Sequence, residues 1–217
     1  MSFGLSFFFS ISIFIAGSIA AFRFKKINRL YYPFLYLIWI GCLSEIVSIA
    51  LAKIYLNSYI NNNIYALIES ILITLLFKNF ALFNDYKKIF PTIILSLVLI
   101  WMVENFAFGH ITTFNVYFSI YYSFMIVLMS ITIINKMIVR SMKNIFKNAT
   151  FLLCIAFVIY FTFQVLIYAF WIYGIEAQKE FLLKLFSIII YINLLTNLIY
   201  ALSISWMPRK LEFTLPL

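Results

Sequence analysis

Seven apolar runs alternate along the chain with short polar breaks. The runs lie at residues 3–22, 32–53, 63–82, 89–108, 114–135, 149–172 and 183–207. A helix needs about 20 apolar residues to cross the hydrocarbon core of a bilayer, so each run predicts one transmembrane helix. Because the breaks are short, we expect an all-α, polytopic membrane protein in which residues 1–217 form a single seven-helix domain.

Local signals at the ends of the runs support helices rather than strands. Pro91 lies in the first turn expected for the fourth helix, and Pro208 follows the expected end of the seventh. Asn62 or Asn63 is expected to cap the third helix, since an asparagine side chain accepts hydrogen bonds from the first free N–H groups of a helix.

Composition strengthens the membrane interpretation. Hydrophobic residues make up 65% of the chain and charged residues only 11%, whereas charged residues reach about 25% in soluble domains. The net charge of +9 does not predict nucleic-acid binding, because the basic residues flank the spans instead of forming a patch on a folded domain. We expect no nucleic-acid partner.

The basic residues also predict orientation. Thirteen of the sixteen lysines and arginines fall on the side that follows the first span, and only Lys53, Lys179 and Lys184 fall on the other. The positive-inside rule therefore predicts an outer N-terminus and an inner C-terminus. No charge precedes the first run and four basic residues follow it, which favours a retained helix over a cleaved signal peptide.

Three glutamates, Glu45, Glu69 and Glu104, interrupt the apolar runs and fall in the outer half of the membrane. Each would cost roughly 2.5 to 3.5 kcal/mol if it faced the bilayer centre, so we expect all three to face inward. Their depth predicts an outward-facing cavity that binds a small cationic or polar ligand. The other expected lining residues are Tyr65, Asn105, Gln164 and Asn193, with Tyr117, Tyr121 and Tyr122 on the fifth span.

A competing interpretation makes the same carboxyls structural. Burial disfavours the charged form of a carboxyl, and polar contacts join membrane helices, so each glutamate could be protonated and hydrogen-bonded to a neighbouring helix. The occurrence of three at one depth, together with Gln164 and Asn193, favours a binding site, because ionisable groups inside membranes are commonly functional.

Several kinds of chemistry have little support. His110, the only histidine, is a candidate pH sensor in the loop after the fourth span or simply a solvated loop residue. Zinc sites need several His, Cys or carboxylate ligands and bis-histidine haem needs two histidines, so no metal or cofactor is expected. A metal site made only of carboxylates stays open but has no specific signal. Ser-His-Asp catalysis has no intramembrane aspartate. Cys42 and Cys154 lie at different depths, so no disulfide is expected.

A retinal pigment is also disfavoured. Microbial rhodopsins, which are seven-helix proteins with an outer N-terminus, hold retinal on a lysine in the middle of the last helix. The only lysine of the last run, Lys184, lies at its outer edge.

The break before the sixth span is basic and has helical spacing. A helical extension along the inner membrane surface would bind anionic lipid, at about 1 kcal/mol per basic residue, or an acidic protein partner. The simpler interpretation is a loop that sets topology. The residues concerned are Lys136, Arg140, Lys143 and Lys147.

The last span carries a resemblance. The run from Asn197 to Lys210, with residues 212–215, resembles the end of uncharacterised seven-helix membrane proteins of Bacteroidetes-type bacteria, and the Ile, Phe, Asn, Lys and Tyr bias is typical of AT-rich genomes. The resemblance implies a bacterial inner membrane and carries no activity.

Four functions remain open. The first is a receptor-like or sensory protein that binds its ligand in the outer cavity and signals through a protein partner, since no output domain is expected in the chain. The second is a small transporter or channel in which the same glutamates carry protons or cations. The others are an intramembrane enzyme acting on lipid, with a glutamate as general acid or base, and a subunit of a larger assembly.

Overall fold

The computed structural model describes residues 12–55, 57–139, 145–172 and 179–210, with the backbone alone for 55 and 179–186. The described chain is helical, and its only β-type pairing is one isolated bridge between Ile27 and Arg209. The predicted all-α class is confirmed. The helices are α1 (Ile13–Arg23), α2 (Tyr32–Tyr55), α3 (Tyr59–Asn79), α4 (Ile89–Met102, extended by a π-helical turn Val103–Phe108), α5 (Val116–Val139), α6 (Ala149–Ile172) and α7 (Lys179–Trp206).

Six of these helices, α2 to α7, are long and apolar enough to cross a membrane. The prediction of a multi-pass membrane protein is therefore supported, and α1 is described from Ile13 onward. Pro91 lies in the first turn of α4, as predicted. The side chain of Asn148 caps α6, because its Oδ1 accepts the backbone N–H of Thr150 at 2.9 Å.

The predicted cap of the third helix is wrong, because α3 begins at Tyr59, one turn before Asn62 and Asn63. Asn63 instead joins α3 to the loop between α4 and α5. Its Nδ2 donates to the Thr113 carbonyl at 2.6 Å, and its Oδ1 accepts the backbone N–H of Asn115 at 3.3 Å. This buried asparagine therefore holds a loop in place.

The packing order explains which side chains can meet inside the bundle. Consecutive helices pack together, α1 packs against α7, and α3 packs directly against α5. Helices α1, α2, α3, α5, α6 and α7 thus form a closed ring, while α4 lies outside it between α3 and α5. Only 17% of the apolar window of α4 is buried, compared with 39% for α3 and 44% for α5 and α6.

One end of the bundle is basic, and Arg23 closes it. We call this the basic end; it carries Arg23, Lys78, Lys136 and Arg209. The guanidinium of Arg23 donates to the carbonyls of Ile204 at 2.7 Å, Met207 at 3.3 Å and Ser205. These carbonyls lie at the C-terminus of α7, where a cation also interacts favourably with the helix dipole. The first and last helices are therefore joined at the basic end.

Aromatic rings fill the interior between the middle of the bundle and the basic end. Phe34, Phe77 and Phe157 are fully buried. Phe157 packs edge-on against Phe34 at 6.2 Å and against Phe77 at 6.1 Å between ring centroids, and Tyr200 packs against Phe34 at 5.2 Å. We call these four residues the aromatic layer. These packed rings fill the interior at this level.

Candidate functional site: a carboxylate cavity inside the helix ring

A cavity of about 220 Å³ lies inside the ring. It is smaller than the roughly 300 to 1,000 Å³ of sites for drug-sized molecules, so it suits a small ligand. From Glu69 it extends about 10 Å, or two helical turns, to Asn62 near the end opposite the basic end. Its polar lining consists of Ser44, Glu45, Ser48, Asn62, Asn63, Tyr65, Glu69, Ser119, Tyr122, Tyr160, Gln164, Tyr168, Asn193, Thr196, Asn197 and Tyr200.

Glu69 on α3 is held by two tyrosines. The Tyr122 hydroxyl of α5 donates to Oε2 at 3.0 Å, and the Tyr65 hydroxyl, one turn before Glu69 on α3, donates to Oε1 at 3.3 Å. Each carboxylate oxygen therefore keeps further acceptor capacity, because a carboxylate offers about four lone-pair positions. The two bonds fix the orientation of the group inside the bundle.

Gln164 on α6 extends this network. Its Nε2 donates to the Tyr122 hydroxyl at 2.9 Å and, more weakly, to the Tyr168 hydroxyl at 3.5 Å. The side chain is 4% exposed, and its Oε1 is buried without a hydrogen-bond partner. A buried acceptor without a partner is costly, since it has given up its hydrogen bond to water. Gln164 therefore lines the cavity while its Oε1 is an unfilled acceptor that solvent does not reach.

Glu45 contributes the second carboxylate. It lies on α2 and is half-buried, and it makes no hydrogen bond or ion pair with the described side chains. Its neighbours on α2, Ser44 and Ser48, are instead bonded to Asn61 of α3, whose Nδ2 lies 2.9 Å and 2.8 Å from the two hydroxyl oxygens. The helix pair is therefore joined beside Glu45 without using its carboxylate.

In the part of the chain that the structure describes, the cavity is lined by acidic side chains without basic ones. Among the described residues that line it, the two carboxylates are not matched by any lysine, arginine or histidine. Five tyrosines and Phe114 supply aromatic rings to the wall. The cavity therefore offers carboxyl groups, which attract cations when they are ionised, and aromatic faces, which attract cations as well.

Two glycines let the helices approach around the cavity. A Cβ atom on Gly41 of α2 would lie 3.2 Å from the Tyr65 hydroxyl and 2.7 Å from Cδ1 of Ile13 on α1. A Cβ on Gly17 of α1 would lie 2.9 Å from Sγ of Cys42. Small residues at such crossings allow membrane helices to pack closely. Gly41 in particular leaves the space that the Tyr65 hydroxyl needs to reach Glu69.

Helix α7 contributes amides. Asn197 Nδ2 donates to Oδ1 of Asn193 at 3.3 Å and to the Ser12 hydroxyl at 2.8 Å, and so joins α7 to the residue that precedes α1. The Thr196 hydroxyl donates within its own helix to the Ile192 carbonyl at 3.0 Å. Asn193 lines the cavity, while the hydrogen bonds of Asn197 hold α7 in place.

The structure separates Glu104 from the other two glutamates. Its carboxylate accepts the backbone N–H groups of Tyr117 at 3.0 Å and Phe118 at 2.5 Å, so it caps the N-terminus of α5. It borders a separate surface groove with Val103 and Phe108. The reason is the packing order: Glu104 lies on α4, which is outside the ring.

Asn105 is also outside the cavity. It is buried, and its Nδ2 donates to the Trp101 carbonyl one turn earlier at 2.8 Å. On α5 only Tyr122 of the three expected tyrosines faces the cavity. Tyr121 bonds to the Ser96 hydroxyl of α4 at 2.7 Å, and Tyr117 is 66% exposed.

The remaining predicted residues lie at the surface or outside the residues that the structure describes. His110 is exposed, and its backbone carbonyl accepts the Thr113 hydroxyl at 2.7 Å. Lys136 pairs with Asp85 at 3.5 Å. Arg140 and Lys143 lie outside the described residues. Lys147 ends a 3₁₀ turn and is exposed. The helix predicted over 136–147 is described only as far as Val139. Cys42 and Cys154 are free thiols, as expected.

Sequence reasoning missed Tyr160 and Tyr168. Both lie on α6 and line the cavity with Gln164. The spacing of four residues on either side of Gln164 puts all three side chains on one helix face, and this spacing was visible in the sequence.

Comparison with known proteins gives no relative: no protein-family model matches the chain, and neither a curated protein nor a solved structure is significantly similar to it.

Proposed function

We propose that this chain is a receptor-like inner-membrane protein that binds a small cation in the cavity between Glu45 and Glu69. In this proposal seven spans cross a bacterial inner membrane with the N-terminus outside and the basic end inside, so that the cavity faces outward. The ligand changes helix packing, and a protein partner carries the signal onward. Binding to lipid at the basic end is part of the same proposal.

The observation that carries the proposal is the charge of the cavity. Two carboxylates and six aromatic rings line a small space to which no described basic residue contributes. An ionised carboxylate in such surroundings needs a counter-charge, because the interior of a membrane protein solvates it poorly. A small organic cation supplies that charge and can pack against the tyrosine faces at the same time.

The aromatic layer favours binding over conduction. Phe34, Phe77 and Phe157 fill the interior on the basic-end side of the cavity, and none is exposed to solvent. A hydrated cation that reached Glu69 would meet packed rings instead of a continuing polar path. The cavity is therefore closed on this side, which is typical of a binding pocket.

The hydrogen-bond network supplies a way for ligand binding to alter packing. Tyr122 lies on α5 and connects Glu69 of α3 to Gln164 of α6 through hydrogen bonds to both. A cation that bonds to a free lone pair of Glu69 shares the carboxylate oxygens with the two tyrosine hydroxyls. Binding would then favour whichever arrangement of α3, α5 and α6 suits the occupied carboxylate.

Binding of methylammonium to the purified protein in lipid nanodiscs tests the proposal directly, with calorimetry as the readout. We expect Glu69→Gln to abolish binding, while Glu104→Gln, the same chemical change outside the cavity, leaves the affinity unchanged. Equal affinities in wild type and Glu69→Gln would contradict the proposal.

A flux measurement separates a receptor from a transporter. Proteoliposomes containing the wild-type protein should take up no more labelled methylammonium than empty liposomes. Uptake that depends on Glu69 would instead assign the cavity to transport, and the aromatic layer would then have to open during the cycle.

A further inference from the structure

We propose, resting on the function above, that the ligand is an ammonium with N–H donors, a primary or secondary amine, whose nitrogen bridges Glu69 and Gln164 Oε1. Charge and aromatic rings alone would suit a quaternary ammonium at least as well. The distinction comes from the hydrogen-bonding state of Gln164.

The direction of each hydrogen bond at Tyr122 is determined by its partners. Gln164 Nε2 can only donate, so the Tyr122 oxygen accepts at 2.9 Å. The single hydroxyl proton of Tyr122 then remains for Glu69 Oε2, at 3.0 Å. Tyr122 therefore has no proton left for any other group.

Gln164 Oε1 consequently depends on a donor from elsewhere. Of the buried side-chain atoms in the described residues that lack a partner, Gln164 Oε1 is the one whose residue lines the cavity. It is an acceptor and can be satisfied only by an N–H or O–H group. A ligand that enters the cavity without such a group leaves this acceptor unpaired.

The Glu69 carboxylate and the Gln164 amide are neighbours through one hydroxyl. Each lies within hydrogen-bond distance of the same Tyr122 hydroxyl. Charge-assisted N–H···O bonds are about 2.7 to 2.9 Å long. In the bound state the Gln164 side chain turns Oε1 toward the cavity, and an ammonium beside Tyr122 gives one N–H to a free lone pair of Glu69 and another to Oε1. Its alkyl groups then face the rings of Tyr160 and Tyr168.

The test is a methylation series on the nitrogen. Binding of methylammonium, dimethylammonium, trimethylammonium and tetramethylammonium is measured by calorimetry on the full chain in nanodiscs. We expect affinity to fall along the series, with at least about a tenfold loss from methylammonium to tetramethylammonium, because a site built to hydrogen-bond an N–H rejects an analogue that lacks it.

Gln164→Leu tests whether this side chain causes the preference for methylammonium over tetramethylammonium. The substitution should weaken methylammonium about tenfold and leave tetramethylammonium unchanged, so the preference disappears. Because the series on the wild-type protein is informative alone, the test does not depend on the variant folding.

Two other outcomes are distinguishable. If tetramethylammonium binds as tightly as methylammonium and Glu69→Gln abolishes both, the N–H requirement is overturned while the cation-binding function stands. If no amine binds, or if Glu69→Gln changes none of the affinities, the proposed function and this inference both fail.

Discussion

The hydroxyl of Tyr122 on α5 donates to Oε2 of Glu69 on α3 at 3.0 Å, inside a ring of helices from which α4 is excluded. The neighbouring tyrosine, Tyr121, points the other way and bonds to Ser96 of α4 at 2.7 Å. Two adjacent residues of one helix therefore serve different purposes. One reaches the cavity, and the other attaches the peripheral helix.

Tyr121 and Tyr122 allow a comparison of the same substitution outside and inside the cavity. Tyr121→Phe removes one hydroxyl hydrogen bond between helices and should lower stability by about 1 kcal/mol, whereas Tyr122→Phe removes two and should cost about 2 kcal/mol. Only Tyr122→Phe frees Glu69 and Gln164, and only it should alter methylammonium affinity. Thermal unfolding in detergent and calorimetry in nanodiscs measure the two effects. An affinity change of the same size in Tyr121→Phe would show that general loosening of the bundle is responsible.

Glu104 should behave as a helix cap. Glu104→Ala removes both acceptors for the N–H groups at the start of α5 and should cost about 1 to 2 kcal/mol. Glu104→Gln keeps an acceptor but loses the favourable charge at the helix N-terminus, so its cost should be smaller. Thermal unfolding ranks the variants, and hydrogen exchange at 116–119 should rise most in the alanine variant. Loss of methylammonium affinity in folded Glu104→Gln would contradict the structural assignment.

Gly41 should be sensitive to a single methyl group. In Gly41→Ala the new Cβ would crowd Ile13 and the Tyr65 hydroxyl, so we expect lower stability and a displaced Tyr65. A double-mutant cycle with Tyr65→Phe isolates the second effect, because phenylalanine lacks the crowded oxygen. Gly41→Ala should cost less in the Tyr65→Phe background. Strict additivity would mean that the contact with Ile13 accounts for the whole loss.

Arg23 should stabilise the end of α7. Arg23→Gln removes donors from the carbonyls of Ile204 and Met207, so hydrogen exchange in the last turn of α7 should increase and stability should fall by about 1 to 2 kcal/mol. Arg23→Lys should restore only part of the loss, because an ammonium cannot reach several carbonyls with a planar fork. Arg29→Gln is the control, since Arg29 is exposed and bonds to no described group through its side chain. Equal effects at both positions would indicate a general dependence on positive charge.

Hydropathy was sufficient to place the helices. In lipid the backbone must satisfy its own hydrogen bonds, so a long apolar run has few alternatives to a continuous helix. The predicted spans at 32–53, 89–108 and 149–172 differ by no more than a few residues from α2, α4 with its π-helical turn, and α6. The predicted depths of the glutamates rest on the same helices, because each residue adds a known rise along a helix.

Glu45, Glu69 and Glu104 were equivalent at that level, since all three lie in apolar runs at similar depth. Their roles differ because of helix rotation and packing order, which depend on contacts between residues far apart in the chain. Direct packing of α3 on α5 excludes α4, so Glu104 meets the start of α5 while Glu45 and Glu69 share a cavity. The unfilled acceptor of Gln164 also depends on contacts between helices. Tyr122 on α5 donates its only hydroxyl proton to the Glu69 carboxylate on α3, so it has none for Gln164 Oε1.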